Sequence, residues 1–124
     1  MPDPAEHEEG HRNEVVLVGR LAGEPETREL PSGTLIVTFR LVVRRPPSRE
    51  RTGDARTATV DTVDCVAWRA DVRRHAAGWQ PGDVLECHGA LRRRFWRSPT
   101  GAASRTEVEA QRVRRVARAV ARAG

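Results

Sequence analysis

Five apolar or alternating stretches, punctuated by glycine and proline turns and with one helical stretch between the third and the fourth, constrain this chain most. "EVVLVGRLAG" (14–23) is rich in valine and leucine and closes on glycine, as a strand entering a turn does. "LPSGT" (30–34) is a turn, and "LIVTFRLVVRR" (35–45) is a long strand. "PPSRERTGDAR" (46–56), polar and led by proline, is too long for a tight hairpin and is expected to be a mobile loop. In "TATVDTVDCVAW" (57–68), Val63, Cys65 and Ala67 alternate with Thr62, Asp64, Val66 and Trp68, the period-two pattern of a strand. "RADVRRHAAGW" (69–79) reads as a short helix stopped by Gly78 and "QPGD". "DVLECHGALRRRFWR" (83–97) returns to strand, "SPTG" turns it, and "SRTEVEAQRV" (104–113) pairs back. The last stretch, "VRRVARAVARA" (113–123), shifts toward helical spacing.

An all-β chain with this order predicts a five-stranded OB-fold, a Greek-key barrel with one short helix between strands 3 and 4. An SH3-like barrel, the main competitor, would not place a helix before the fourth strand. The 124 residues suit one domain. Expected boundaries are a disordered acidic arm over 1–12, the barrel over 13–117 and a short basic tail over 118–124.

Charge narrows the partner. The net charge of +5 divides into −4 on residues 1–14 and +9 on the remainder, and all 22 basic residues are arginine. A basic domain of this size points to a polyanion, with nucleic acid the commonest and a membrane surface the weaker choice. There is no run of about 18 apolar residues to cross a bilayer and no secretory leader, so a cytoplasmic, nucleoid-associated protein is expected. Cys65 and Cys87 are expected as buried free thiols, because no C-x-x-C pair supports a zinc site.

One motif argues for chemistry and is set aside. "HEEGH" (7–11) spells the zinc-protease pattern, but Pro2 and Pro4 precede it, Gly10 interrupts it and no apolar stripe anchors it. No G-x-S-x-G elbow and no phosphate-binding G-x-x-x-x-G-K-[ST] loop occurs. The expectation is a protein that is not an enzyme, with no catalytic residue, no metal and no cofactor.

"ALRRRFWRSPTG" (90–101) is the most informative stretch for binding. Neighbours on a strand face opposite ways, so Phe95 and Trp96 cannot share a side. Period two groups Leu85, Cys87, Leu91 and Phe95, expected in the core, and places Trp96 outside with Arg92 and Arg94. An exposed indole beside arginines is a base-stacking platform with phosphate partners at hand. Trp68, at the end of the third strand, is either a second platform or packing under the helix. Trp79 is expected to anchor the helix over the barrel, His75 to face solvent, and His88 to have no carboxylate or histidine at ligand spacing.

These stretches resemble the bacterial single-stranded DNA-binding protein family. "NEVVLVGRLAGEPETRELPSG" (13–33) is similar to its opening N-x-V-x-L-V-G-x-L and P-E-x-R, through Asn13, Val15, Leu17, Val18, Gly19, Leu21, Pro25, Glu26 and Arg28. "VTFRLVV", "CVAWRAD" and "GDVLECHGALRRRFW" are similar to its later strands. The resemblance implies sequence-independent single-stranded DNA binding in replication, recombination or repair, with Trp68 and Trp96 as base-stacking residues. Arg20, Arg28, Arg40, Arg44, Arg92 and Arg94 are the expected phosphate partners. It implies a homotetramer, with a dimer as the alternative. Two further family aromatics are replaced by Pro47 and Thr62, which weakens stacking. The family's acidic C-terminal tip has no counterpart in "VARAVARAG", so an accessory paralogue without tail-mediated recruitment of repair enzymes is expected. An RNA-binding or primosome-type accessory factor and a structural subunit stay open beside this reading.

Overall fold

The computed structural model describes residues 10–47 and 59–120. Chain order gives β1 (Val15–Leu21), β2 (Glu26–Glu29), β3 (Leu35–Arg44), β4 (Val60–Ala67), α1 (Ala70–Ala76), β5 (Val84–Ser98) and β6 (Gly101–Ala117). All strands join one sheet in the order β1-β5-β6-β4-β3-β2. A short β1–β3 pairing, Arg20 opposite Val42 and Leu21 opposite Leu41, closes the first five into a barrel. On the other side β4 and β6 run parallel and meet at Cys65–Val108 and Val66–Glu109.

The five expected strands are thus β1, β3, β4, β5 and β6, with the helix before the fourth of them. β2 is the element the sequence hid. "ETRE" is exposed throughout and pairs with the first half of β3, so no apolar alternation marks it. A second difference lies at the end: β6 carries residues 113–117 as strand, opposite the root of β5, where helical spacing was expected. Pairing decided the backbone there, since a lone helix of such length is marginal in water. Of the expected loop, residues 48–56 lie outside the described residues, as do residues 1–9 of the arm and 121–124 of the tail.

The core is the barrel's interior. Val37, Phe39 and Leu41 from β3 meet Cys65 and Ala67 from β4, Leu85 and Cys87 from β5, and Val108, Ala110 and Val113 from β6. α1 adds Val72 and Ala76, and Trp79 just beyond it packs edge-on against Phe39 with centroids 5.2 Å apart. Trp79 is the expected anchor, and His75 is exposed as expected. Asp83, almost wholly buried, ties this end together. Its carboxylate accepts from Gln80 N at 2.8 Å, Ala119 N at 2.7 Å and Arg115 Nη1 at 3.3 Å.

β5 and β6 form a long hairpin whose tip leaves the barrel. β1 accompanies β5 only as far as Val15 opposite Gly89. There the Asn13 side chain substitutes for a strand, donating to Leu91 O at 2.7 Å and accepting from Leu91 N at 2.8 Å. At Gly89 the register against β6 shifts, and the backbones approach so closely that a Cβ would stand 2.0 Å from Glu109 O. Only glycine fits at such a bulge. Past Leu91, where β4 also leaves β6, the hairpin is two-stranded, turning at Gly101 with φ of 127°.

This overhang corrects the expected core. Alternation assigned Phe95 to the same side as Leu85 and Cys87, but Phe95 is 71% exposed and Leu91 50%. The side is the same; nothing stands opposite it past the barrel rim.

Candidate nucleic-acid interface

Register assembles one outer face from four strands. Opposed residues in a ladder share a side, so Arg92, Arg94 and Trp96 on β5 stand with Glu107, Arg105 and Ala103 on β6. Across the parallel join, Glu109 meets Val66 of β4, and Val66 and Asp64 stand with Thr38 and Arg40 of β3. Glu26 and Arg28 of β2 extend the same face. Here the surface sinks into a cleft of about 340 Å³, lined by Arg28, Arg40, Asp64, Arg94, Arg105 and Glu107 among others. Val66 and Ile36 are buried although they point away from the core, so this outer face has a partly apolar floor.

The tryptophans stand at the two ends. Trp68 lies four residues beyond Asp64 on β4, while Ala103, the partner of Trp96, lies four residues before Glu107 on the parallel β6. At strand rise each is roughly 13 Å from the cleft's centre, in opposite directions. Both rings are 40% exposed. Arg94 sits 5.7 Å from the centroid of Trp96, a cation–π contact that holds the indole beside a guanidinium charge. On the hairpin's other side Arg93 treats Phe95 alike, at 5.8 Å.

The face is mixed in sign. Arg40 Nε donates to Asp64 Oδ1 at 2.9 Å, Arg105 approaches Asp64 at 3.8 Å, and Arg92 pairs with Glu109. These pairs are solvent-exposed on the arginine side, so each is weak and available for exchange with a phosphate. Glu107 differs. It is only 9% exposed, lines the cleft, and among the described residues no hydrogen bond or ion pair closes on its carboxylate.

Of the expected site residues, the cleft gathers Arg28, Arg40 and Arg94. Arg92 is at its edge on the Glu109 pair, and Trp68 and Trp96 flank it. Arg44 continues the β3 row and Arg20 stands opposite Val42 on the same outer side, both exposed and outside the cleft. Thr62 is exposed opposite Val42, and Pro47 is exposed at the edge of the described residues. Missed in the sequence were Arg105, Asp64 and Glu107. The alternation of "RTEVEA" (105–110), with Val108 and Ala110 inward, was the signal for two of them.

Cys65 and Cys87 are buried free thiols; Cys65 Sγ donates to Val63 O, and neighbouring Cys87 together with burial pushes the Cys65 thiol far above the usual thiol range. His88 does have a carboxylate neighbour, contrary to expectation. Two residues along a strand share a face, and Glu86 Oε1 accepts from His88 Nε2 at 2.8 Å. That bond and the nearby Arg114 hold the Glu86 carboxyl below its ordinary value. Residues 7–9 of "HEEGH" lie outside the described residues; among those described, no three His, Cys, Asp or Glu side chains are placed to hold a metal ion. No described helix is long and apolar enough to cross a membrane.

Comparison with known proteins agrees with this architecture. Residues 12–116 match the model of the single-strand binding protein family. The chain is 34% identical over 102 residues to single-stranded DNA-binding protein A of Bacillus subtilis, covering 82% of this chain and 57% of that protein. It is 37% identical over 115 residues to the single-stranded DNA-binding protein of Thermus thermophilus, covering 90% of this chain and 40% of that one. The chain spans about half the length of the curated relatives it matches. The fold is also that of the Plasmodium falciparum SSB in complex with ssDNA, with a TM-score of 0.67 over 92% of this chain and 96% of that one at 19% identity.

Proposed function

Because this chain belongs to the single-strand binding protein family, we propose that it binds single-stranded DNA along the face between Trp68 and Trp96, in replication, recombination or repair. The observation that carries this reading is the pair of exposed indoles at opposite ends of an arginine-lined cleft. Bases stack on the rings, Arg40 and Arg92 exchange carboxylate partners for phosphates, and Arg28 and Arg94 take phosphates beside them. Arg20 and Arg44 extend the charged track beyond the cleft. Stacking accepts any base because every base has a π-face, so most of the affinity is sequence-tolerant. No residue is asked to do covalent chemistry.

Tryptophan fluorescence titrated with oligothymidylate at several salt concentrations tests the reading. Quenching is expected from Trp68 and Trp96, Trp79 being buried. Affinity should fall with salt at a slope near −0.7 per phosphate contact. Binding that ignores salt would overturn it.

We further propose that the protein works as a homo-oligomer, a tetramer before a dimer. Among the described residues, 15–19 of β1 pair only with β5, and Val16 and Val18 are exposed on its outer side. An apolar strand with a free edge is a template for a second copy. Light scattering that finds only monomer at micromolar concentration refutes this.

A further inference from the structure

Glu107 has no use in the binding mode just described. Phosphate is repelled by a carboxylate, and a stacked base does not need one. Yet the side chain is 9% exposed, lines the cleft and has no partner among the described residues. Its carboxylate oxygens reach the solvent of the cleft, so Glu107 presents unengaged acceptors to the donors of a ligand that enters. A cation is the first alternative. It is disfavoured because no cluster of three His, Cys, Asp or Glu side chains among the described residues could hold a metal ion.

The rest of the cleft says what kind of donor fits. Arg105 lies two residues from Glu107 on the same side of β6, at roughly 7 Å along the strand, which is about the width of a base. Acceptor and donor therefore stand side by side. Single-stranded bases expose both their pairing and their Hoogsteen edges to a protein. Guanine alone presents two adjacent donors, N1–H and the N2 amino group, next to two acceptors, O6 and N7. Thymine and uracil offer a single N3–H between two carbonyl oxygens, which a carboxylate repels. Cytosine and adenine offer one amino group beside an unprotonated ring nitrogen.

Resting on the single-stranded DNA reading above, we propose that the cleft is a guanine subsite, with the Glu107 carboxylate accepting from N1–H and N2–H and Arg105 donating to O6 or N7. It adds a preference at one nucleotide to binding that is otherwise tolerant of sequence.

The test compares three oligonucleotides by fluorescence titration: an all-thymidine strand, the same strand with one central guanine, and that strand with hypoxanthine, which lacks the N2 amino group. The wild-type chain should bind the guanine strand about tenfold more tightly than the thymidine strand, with hypoxanthine losing most of the gain. In Glu107→Gln the ratio of guanine to thymidine affinity should collapse to near one. Equal affinity of the wild type for all three strands would overturn the subsite while leaving single-stranded DNA binding intact. A guanine preference that survives in a folded Glu107→Gln, or that hypoxanthine keeps in full, would also overturn it. Failure of every strand to bind would remove both readings. The hypoxanthine comparison uses only the wild type, so it holds even if the variant does not fold.

Discussion

The β5–β6 hairpin carries one alternation through two environments. In its lower half Leu85 and Cys87 are fully buried; in its upper half Leu91 and Phe95, on the same side of the same strand, are exposed. The side chains did not change character, and the bulge at Gly89 puts its extra residue on β6, so the alternation along β5 runs on unbroken. What changed is the opposing wall: β1 leaves β5 at Gly89, and the tip extends past the rim. Alternation therefore tells which way a residue points, and only the surrounding topology tells whether anything is there to meet it.

Substitutions along this hairpin separate the halves. Leu85→Ala should cost the most, about 3–4 kcal/mol of unfolding free energy in urea titration, because a closed barrel cannot collapse onto the cavity. A cost under about 1 kcal/mol would mean that the lower half is as loosely covered as the tip.

Next comes the root of β5. Asp83→Asn should cost about 2–3 kcal/mol, since a buried carboxylate shared by two backbone amides and Arg115 loses its charge-assisted bonds. Those amides, Gln80 first, hold the Asp83 carboxyl below its ordinary value. A depressed native pKa stabilises above the unfolded value near 4 and is lost as pH falls through the native one. Thermal melts between pH 6 and pH 2 should show this acid limb in the wild type and a smaller one in Asp83→Asn.

Effects shrink toward the tip. Trp96→Ala should lower oligothymidylate affinity by about 1–3 kcal/mol, the loss of one stacked base, with stability nearly untouched. Trp68→Ala should act alike with some loss of stability, because it abuts α1. Smallest of all, Phe95→Ala should change stability by less than about 0.5 kcal/mol, as surface truncations do. A large loss there would show that a second copy covers the tip.

Most of the barrel was legible because five of its strands are apolar or alternating stretches between turns, and the helix carries Val72 and Ala76 toward it with Trp79 just beyond. β2 was illegible for a physical reason: its ladder is held by backbone bonds to β3, and its four side chains are all in water. The cleft was half legible. Arginines and exposed tryptophans announce themselves, whereas Asp64 and Glu107 gain meaning only when the parallel join brings β4 beside β6. That neighbourhood has no local trace, because the two strands are some forty residues apart in the chain.

The ring closes through two short joins, β1 to β3 and β4 to β6, each two residue pairs long. Mechanically the barrel is two antiparallel leaves, one of β1, β5 and β6 and the other of β2, β3 and β4, clasped at both margins. Short clasps open before long ladders do, so thermal breathing concentrates at these margins. The cleft straddles the β4–β6 clasp, with Arg40 and Asp64 on one leaf and Arg94, Arg105 and Glu107 on the other. Any polymer lying in it grips both leaves at once and acts as a splint across one of the barrel's two short clasps.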